Sequence, residues 1–284
     1  MLLVSQALEP QLQSTKGLPS LGGTAGEMSL QNRLHVIRYR SPSVLDRLML
    51  DEALFRDPLK RLWLVLDDSH ERREDVSIVL GMSGKLEEVN EQAARSDDVK
   101  LIRRFSGGGT VAVDRNAFLV SLIANASQIV PSKSVPPYPR EIMRWTDERV
   151  YRPAFHSVKR SPDMVFSSRE NDYVINEHFK VGGNAQGISG DRFCHHTSFL
   201  IRVNPKTMSY LRMPKKRPEY RQDRDHTSFL RGLEDEIYSP DALYDKVAEH
   251  FAVGLGLRYP QDVVIDDPRA EIPAMLKESR NVIL

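Results

Sequence analysis

The chain has 284 residues, 40% of them hydrophobic and 28% charged, which excludes disorder over most of its length and suits one large domain or two small ones. Its 40 Lys+Arg against 39 Asp+Glu leave a formal net charge of +1, which argues against nucleic acid as the partner. A single cysteine, Cys194, excludes a disulfide framework and a Cys-rich zinc module, and no apolar run approaches the roughly 20 residues of a membrane span; the expected location is intracellular, mitochondrial or cytoplasmic.

Residues 1–31 are rich in Gly, Pro, Ser, Thr and Gln without a sustained apolar period, so they read as a disordered tail or a targeting segment. Residues 32–260 read as the folded domain and 261–284 as a C-terminal tail. Leu34–Tyr39 has strand composition. Ser41-Pro42 offers a helix cap and a first-turn proline, and Leu45, Leu48, Met49 and Ala53 follow at helical spacing to about Phe55. The apolar runs 61–66 and 76–80 read as buried strands, 86–95 as a helix and 99–104 as a third strand. Strands are expected at 110–113 and 118–123, a helix at 140–150, and strands at 172–175, 179–182 and 197–203. The remainder is helical: 225–236, then a longer helix beginning at Ser239-Pro240 and ending near Gly256. The pattern predicts an α+β fold with mixed or antiparallel sheets flanked by helices.

The sharpest local signal is Arg103-Arg104-Phe105-Ser106-Gly107-Gly108-Gly109. Three consecutive glycines between strands cost backbone entropy, so something must use the missing side chains. Either the loop brings backbone N–H groups and two arginines to an anion, or it is a hairpin turn flanked by solvated arginines. A second signal is Asn171-Asp172 followed by Lys180-Val181-Gly182-Gly183-Asn184-Ala185. A lysine next to glycines can reach along a groove to a phosphate and a carbonyl oxygen, or simply sit on an exposed strand beside a bulge. The third is His195-His196; on a strand the two rings point to opposite faces, so at most one faces a given pocket. A basic segment, Pro214 to Arg221, is either a docking site for an acidic partner or a solvated loop.

Taken in order, these motifs resemble the lipoate–protein ligase A family, within the biotin/lipoate protein ligase superfamily, and look most like a eukaryotic branch of it. Leu50-Asp51-Glu52-Ala53 and Ile78-Val79-Leu80-Gly81 add to the likeness, which runs from about Leu34 to Gly256. The resemblance implies a two-step acyl transfer. Lipoate or octanoate and ATP, with magnesium, give an acyl-adenylate; the acyl group then passes to a lysine of a lipoyl domain. Acceptors of that kind are the acyltransferase subunits of 2-oxoacid dehydrogenases and the glycine cleavage H protein.

By the same resemblance Lys180 is catalytic and contacts the carbonyl oxygen and α-phosphate. Arg103 and Arg104 sit by the bound acid, with Arg103 making the direct contact. Ser106, Gly107, Gly108 and Gly109 form the acyl and nucleotide loop. Asn171 and Asp172 bind phosphate, Asp172 with the magnesium. Gly182, Gly183, Asn184 and Ala185 line the adenylate cleft, supported by His195 or His196. Val113-Asp114 stands where the family often has His-Asp, and no glycine separates His196 from Thr197. The roughly 80 residues after Asn204 read as terminal helices, so an accessory domain would be another chain. Two alternatives stay open: an ATP-independent octanoyl or lipoyl transferase, and a non-catalytic homologue that binds lipoyl domains.

Overall fold

The computed structural model describes residues 33–39, 43–67, 76–129, 139–265 and 279–284. Among these, two sheets account for the strands. The large sheet holds β1 (Leu34–Tyr39), β2 (Leu62–Asp67), β6 (Ala117–Asn125), β7 (Phe166–Arg169), β8 (Asp172–Ile175), β9 (Phe179–Ser189), β10 (Arg192–Leu200) and β11 (Val263–Ile265), in the order β11-β1-β2-β6-β10-β9-β8-β7. β11, β1 and β2 run parallel and the remaining pairs antiparallel. The small sheet orders β3 (Ser77–Leu80), β4 (Lys100–Arg103), β5 (Val111–Val113) and β12 (Val282–Ile283) as β12-β4-β3-β5. The α+β expectation with mixed sheets therefore holds.

β6 is central in the large sheet, and its apolar run is buried on both faces. One face packs Phe118, Phe155, Phe199, Val247 and Phe251 against a helical layer. After α3 (Ala126–Ile129) at the end of β6, that layer comprises α4 (Pro139–Thr146), α5 (Arg152–Val158) and, beyond the short α6 (Pro205–Met208), α8 (Pro240–Gly254), with a wide turn at Asp147–Tyr151 joining α4 to α5. The other face carries Trp63, Val65, Ile123 and Cys194 against Leu50 and Leu54 of α1 (Val44–Phe55). The small sheet closes over this second face, with Val79, Ile102 and Val113 packed against Val44 and Leu48. The site lies at this junction.

Several local features differ from the sequence expectations. The described cap of α1 is Ser43, whose hydroxyl accepts from Asp46 N–H; Ser41-Pro42 lies outside the described residues, as do residues 1–31. The expected helix 86–95 is a 3₁₀ turn, Leu86–Glu88, followed by α2 (Glu91–Ser96), because the Asn90 side chain caps Ala93 N–H and starts the helix late. β10 begins at Arg192, not Thr197. β7 has no counterpart among the expected strands: Phe-Ser-Ser-Arg carries little strand signal and forms by pairing with β8. Finally, 225–236 holds only the short helix α7 (His226–Phe229), since the next residues bond to strand ends instead. Arg231 N–H donates to the Lys180 carbonyl at 2.9 Å, and Leu233 N–H to that of Leu200 at 2.8 Å. The Ser239 cap and Pro240 start of α8 appear as expected.

Candidate active site between the two sheets

β4 and β5 are not partners: both pair with β3, one on each side. The loop Ser106–Gly109 is therefore no hairpin turn but a crossover at the C-terminal end of β3, over Gly81. Space is scarce there. A Cβ on Gly81 would lie 2.2 Å from the Gly108 carbonyl oxygen. Gly108 has φ +112°, and a Cβ on it would come within 2.8 Å of the Arg104 guanidinium and 3.1 Å of Ala185. Gly107 N–H donates to the Gln186 carbonyl at 3.0 Å, tying the loop to β9. Gly109, by contrast, has nothing within 4 Å of an added Cβ.

The two arginines divide the work of holding this loop. Arg103 points to the preceding turn and donates to the carbonyls of Gly81, Met82 and Gly84, the last at 2.7 Å. Arg104 turns inward and is 3% exposed. It donates to the carbonyls of Val79, Gly107 and Gly109 at 3.2, 3.1 and 2.8 Å. Its Nε has no hydrogen-bond partner, and among the described residues it forms no ion pair within 4.0 Å, Glu88 acting on its charge from further off. Burial draws it down to about 10, which leaves it cationic at neutral pH. Arg104, not Arg103, lines the cavity between the sheets.

That cavity is walled by Val44 and Leu48 of α1, Val79, Val111 and Val113 of the small sheet, and Leu119 of β6. Arg47 and Asp51 of α1, Val120 and Ser121 of β6, Gly183, Asn184 and Ala185 of β9, and His196, Thr197 and Ser198 of β10 complete it. Near Gly183 stands Lys180: a Cβ on Gly183 would lie 3.5 Å from Lys180 Nζ, which pairs with Asp172 Oδ1 at 2.7 Å. Tyr220 O–H donates to the other Asp172 oxygen at 2.9 Å. Asn171 occupies the β7–β8 turn with φ +83°, and its carbonyl accepts from Asn184 Nδ2 at 2.6 Å. The bulge in this stretch falls at Val181, where the β8–β9 register slips, rather than at Gly182-Gly183. Gly182 instead makes room for Phe199, whose ring carbon lies 2.6 Å from where its Cβ would be.

The histidines do face opposite ways. His196 lies on the cavity side, its Nδ1 3.0 Å from Asp51 Oδ2. Asp51 is ion-paired with buried Arg47 one turn earlier and accepts from Ser121 Oγ at 2.7 Å. Burial alone would raise the Asp51 carboxyl, but Arg47 and the His196 hydrogen bond outweigh it and hold the group low. His195 is fully buried under the helical layer. Its Nδ1 accepts from Gln186 Nε2 and its Nε2 meets Tyr173 O–H, both at 3.0 Å. Burial pushes it down to about 3, so it is neutral. Ser106 is buried and its hydroxyl finds no partner among the described residues.

Of the residues named from sequence, Arg104, Gly183, Asn184, Ala185 and His196 line the cavity, and Gly107–Gly109 form its crossover loop. Lys180, Asp172 and Asn171 stand beside it, while Arg103, Gly182 and His195 do not line it. The i,i+4 pair Arg47–Asp51 on the buried face of α1 joins the site from the structure alone; two opposite charges among apolar helix positions were its available signal. No group of three His, Cys, Asp or Glu among the described residues could hold a metal. Asp172, the carboxylate expected to take magnesium, is engaged by Lys180 and Tyr220 in the ligand-free protein. Nor is any described helix long and apolar enough to cross a membrane.

Comparison with known proteins adds three likenesses. The chain is 28% identical over 268 residues, covering 77% of this chain and 69% of the relative, to a Plasmodium falciparum protein named inactive lipoate–protein ligase 2. Its fold matches a chain of a bipartite lipoate protein ligase from Thermoplasma acidophilum, with TM-score 0.66 at 16% identity, over 87% of this chain and 92% of that one. It also matches a lipoate-protein ligase A crystallised with ATP, with TM-score 0.64 at 15% identity, over 87% and 95%. The family model for the lipoyl protein ligase A/B catalytic domain matches residues 70–252, more than half of the sequence, and the chain belongs to that family.

Proposed function

We propose that this protein is an ATP-dependent lipoate–protein ligase, acting on lipoate or octanoate. The observation that carries the proposal is Arg104, a buried guanidinium with no ion pair among the described residues, on the wall of a cavity whose other charges, Arg47 and Asp51, are paired with each other. An acid with a long apolar chain satisfies both features at once: the chain fills the space between α1, β5 and β6, and the carboxylate complements the cation.

In the first step a carboxylate oxygen attacks the α-phosphorus of ATP. The bond to the β-phosphate breaks, and acyl-adenylate and pyrophosphate result. In the second step the amine of a lipoyl-domain lysine attacks the acyl carbonyl; AMP leaves with the bonding pair and the amine loses its proton to solvent. Lys180 serves both steps by placing an ammonium beside the carbonyl oxygen and the α-phosphate, where negative charge develops. In the ligand-free protein that ammonium is held by Asp172, so phosphate binding exchanges one anionic partner for another.

One observation favours a second reading, a non-catalytic homologue that binds acyl-adenylate or lipoyl domains: the P. falciparum relative is named inactive. A cysteine-dependent transferase is disfavoured because Cys194 is fully buried, and burial pushes its thiol well up. The deciding experiment incubates the protein with lipoate, ATP and a recombinant lipoyl domain, and follows modification of the acceptor lysine by mass spectrometry. Modification that requires ATP is the expected result. No modification in either the presence or the absence of ATP supports the second reading, and modification from an acyl-carrier donor without ATP overturns both.

A further inference from the structure

Residues 279–284 are far from the glycine loop in sequence, yet they are fastened to it. β12 pairs with β4 so that Val282 faces Arg103, and Leu284 N–H donates to the Leu101 carbonyl at 2.9 Å. The ladder does not stop where the backbone pairing stops. The Asn281 side chain extends it by one rung, its Oδ1 accepting from Phe105 N–H at 3.0 Å. Phe105 immediately precedes the Ser106–Gly109 crossover, and its ring meets His196 edge-on with centroids 5.5 Å apart.

The other half of the Asn281 amide points into α1. Its Nδ2 donates to the Leu48 carbonyl at 3.2 Å and to Glu52 Oε2 at 2.9 Å. That oxygen also accepts from Ser279 Oγ at 2.8 Å and Arg280 N–H at 2.7 Å, while Arg56 takes the other. Both side chains are buried, Asn281 at 7% exposure and Glu52 at 1%. A buried carboxylate with this many donors is stable only while its donors stay in place. Val282 and Ile283 are exposed, so apolar burial by those two side chains is not what holds the segment.

We propose that Asn281, locked by Glu52, is a positioning residue for the glycine loop: residues 279–284 act as a clasp fixing the end of β4, and through Phe105 the placement of the Ser106–Gly109 backbone and Arg104. The clasp connects α1, β4 and the crossover, three elements that converge on the cavity. It acts through the loop and does not touch the ligand. The functional half of this inference rests on the acid- and nucleotide-binding role given to the cavity above; the mechanical half does not.

The test uses the full chain and the variant Asn281→Ala, with two readouts. Amide hydrogen exchange in the ligand-free protein should show a peptide spanning 104–110 exchanging at least about tenfold faster in the variant, with β10 (192–200) unchanged. Acid-dependent ATP–pyrophosphate exchange at a temperature well below unfolding should show KM for the acid raised at least about tenfold with kcat changed less. Unchanged exchange in 104–110 overturns the clasp. A loosened loop with wild-type KM overturns the positioning role. Absence of pyrophosphate exchange in the wild-type protein sinks the ligase reading instead, and hydrogen exchange then still decides for or against the clasp. Should Asn281→Ala fail to fold, the milder Asn281→Ser, which loses the reach to Phe105, is read by the same criteria.

Discussion

Lys180 Nζ and Asp172 Oδ1 lie 2.7 Å apart across the β8–β9 pair, above the glycine-bare strip where β9 forms the cavity wall. The pair is partly exposed, with side-chain exposures of 27% and 15%. A pair so placed contributes little to folding, on the order of 0–1 kcal/mol, which leaves its worth to be found in chemistry. Lys180→Ala is therefore expected to lower Tm by no more than about 3 °C while reducing the adenylation rate about 10²–10³-fold. Thermal unfolding and pyrophosphate exchange measured on the same preparation check this. A large drop in Tm, or an unchanged rate, contradicts the role given to Lys180.

The triple glycine separates into positions with different reasons for lacking a side chain. Gly108→Ala forces a Cβ into a positive-φ position crowded by Arg104 and Ala185 and should cost about 1–3 kcal/mol of stability. Gly109→Ala meets nothing within 4 Å and should stay within about 0.5 kcal/mol of the parent. If the loop serves a ligand, Gly109→Ala still weakens acid or nucleotide binding. Chemical denaturation paired with calorimetric titration separates the two effects. Equal stability losses in both variants would mean that the crossover is crowded on both sides.

His195 supplies a pH test with a definite sign. Its folded-state value is depressed by burial to about 3, against 6.5 for the free side chain. Between these values the unfolded chain binds the proton and the folded chain does not, so its contribution is complete above about pH 6.5 and is lost as pH falls towards 3. Replacing it by the non-titrating His195→Gln removes that component. The stability difference between parent and variant should then shift with pH only inside this window, by at most about 1.4 kcal/mol per pH unit. Denaturant titrations at pH 4, 5, 6 and 7.5 measure it; a difference independent of pH contradicts a neutral buried His195.

Residues 1–31 carry no apolar period that could pack onto the domain, so their deletion should leave Tm essentially unchanged. A fall of several degrees on differential scanning calorimetry would show that they contribute to the fold.

The secondary structure was legible where local physics decides it. Ser239-Pro240 capped a helix, the apolar runs at 61–66 and 76–80 became the buried strands Leu62–Asp67 and Ser77–Leu80, and the opposite orientations of His195 and His196 followed from the strand period. It was not legible where distant partners decide. Phe166–Arg169 is a strand because β8 lies beside it, and Arg231 and Leu233 abandon a helical pattern because strand ends offer carbonyls. The glycine loop was recognisable as unusual, but the choice between hairpin and crossover depends on β3 lying between β4 and β5. Arg103 and Arg104 are adjacent and chemically identical in sequence; only the fold shows that one holds a turn while the other lines the cavity. Asn281 was out of reach altogether, since nothing near it in sequence indicates Phe105 or Glu52.

Whether the cavity activates a carboxylic acid with ATP is decided by acid-dependent ATP–pyrophosphate exchange with magnesium, using lipoate, octanoate and biotin in separate reactions. Exchange is expected with lipoate or octanoate and not with biotin, and it should be about 10²–10³-fold slower in Lys180→Ala. Exchange with biotin alone, or with no acid at all, would contradict the ligase reading of this site.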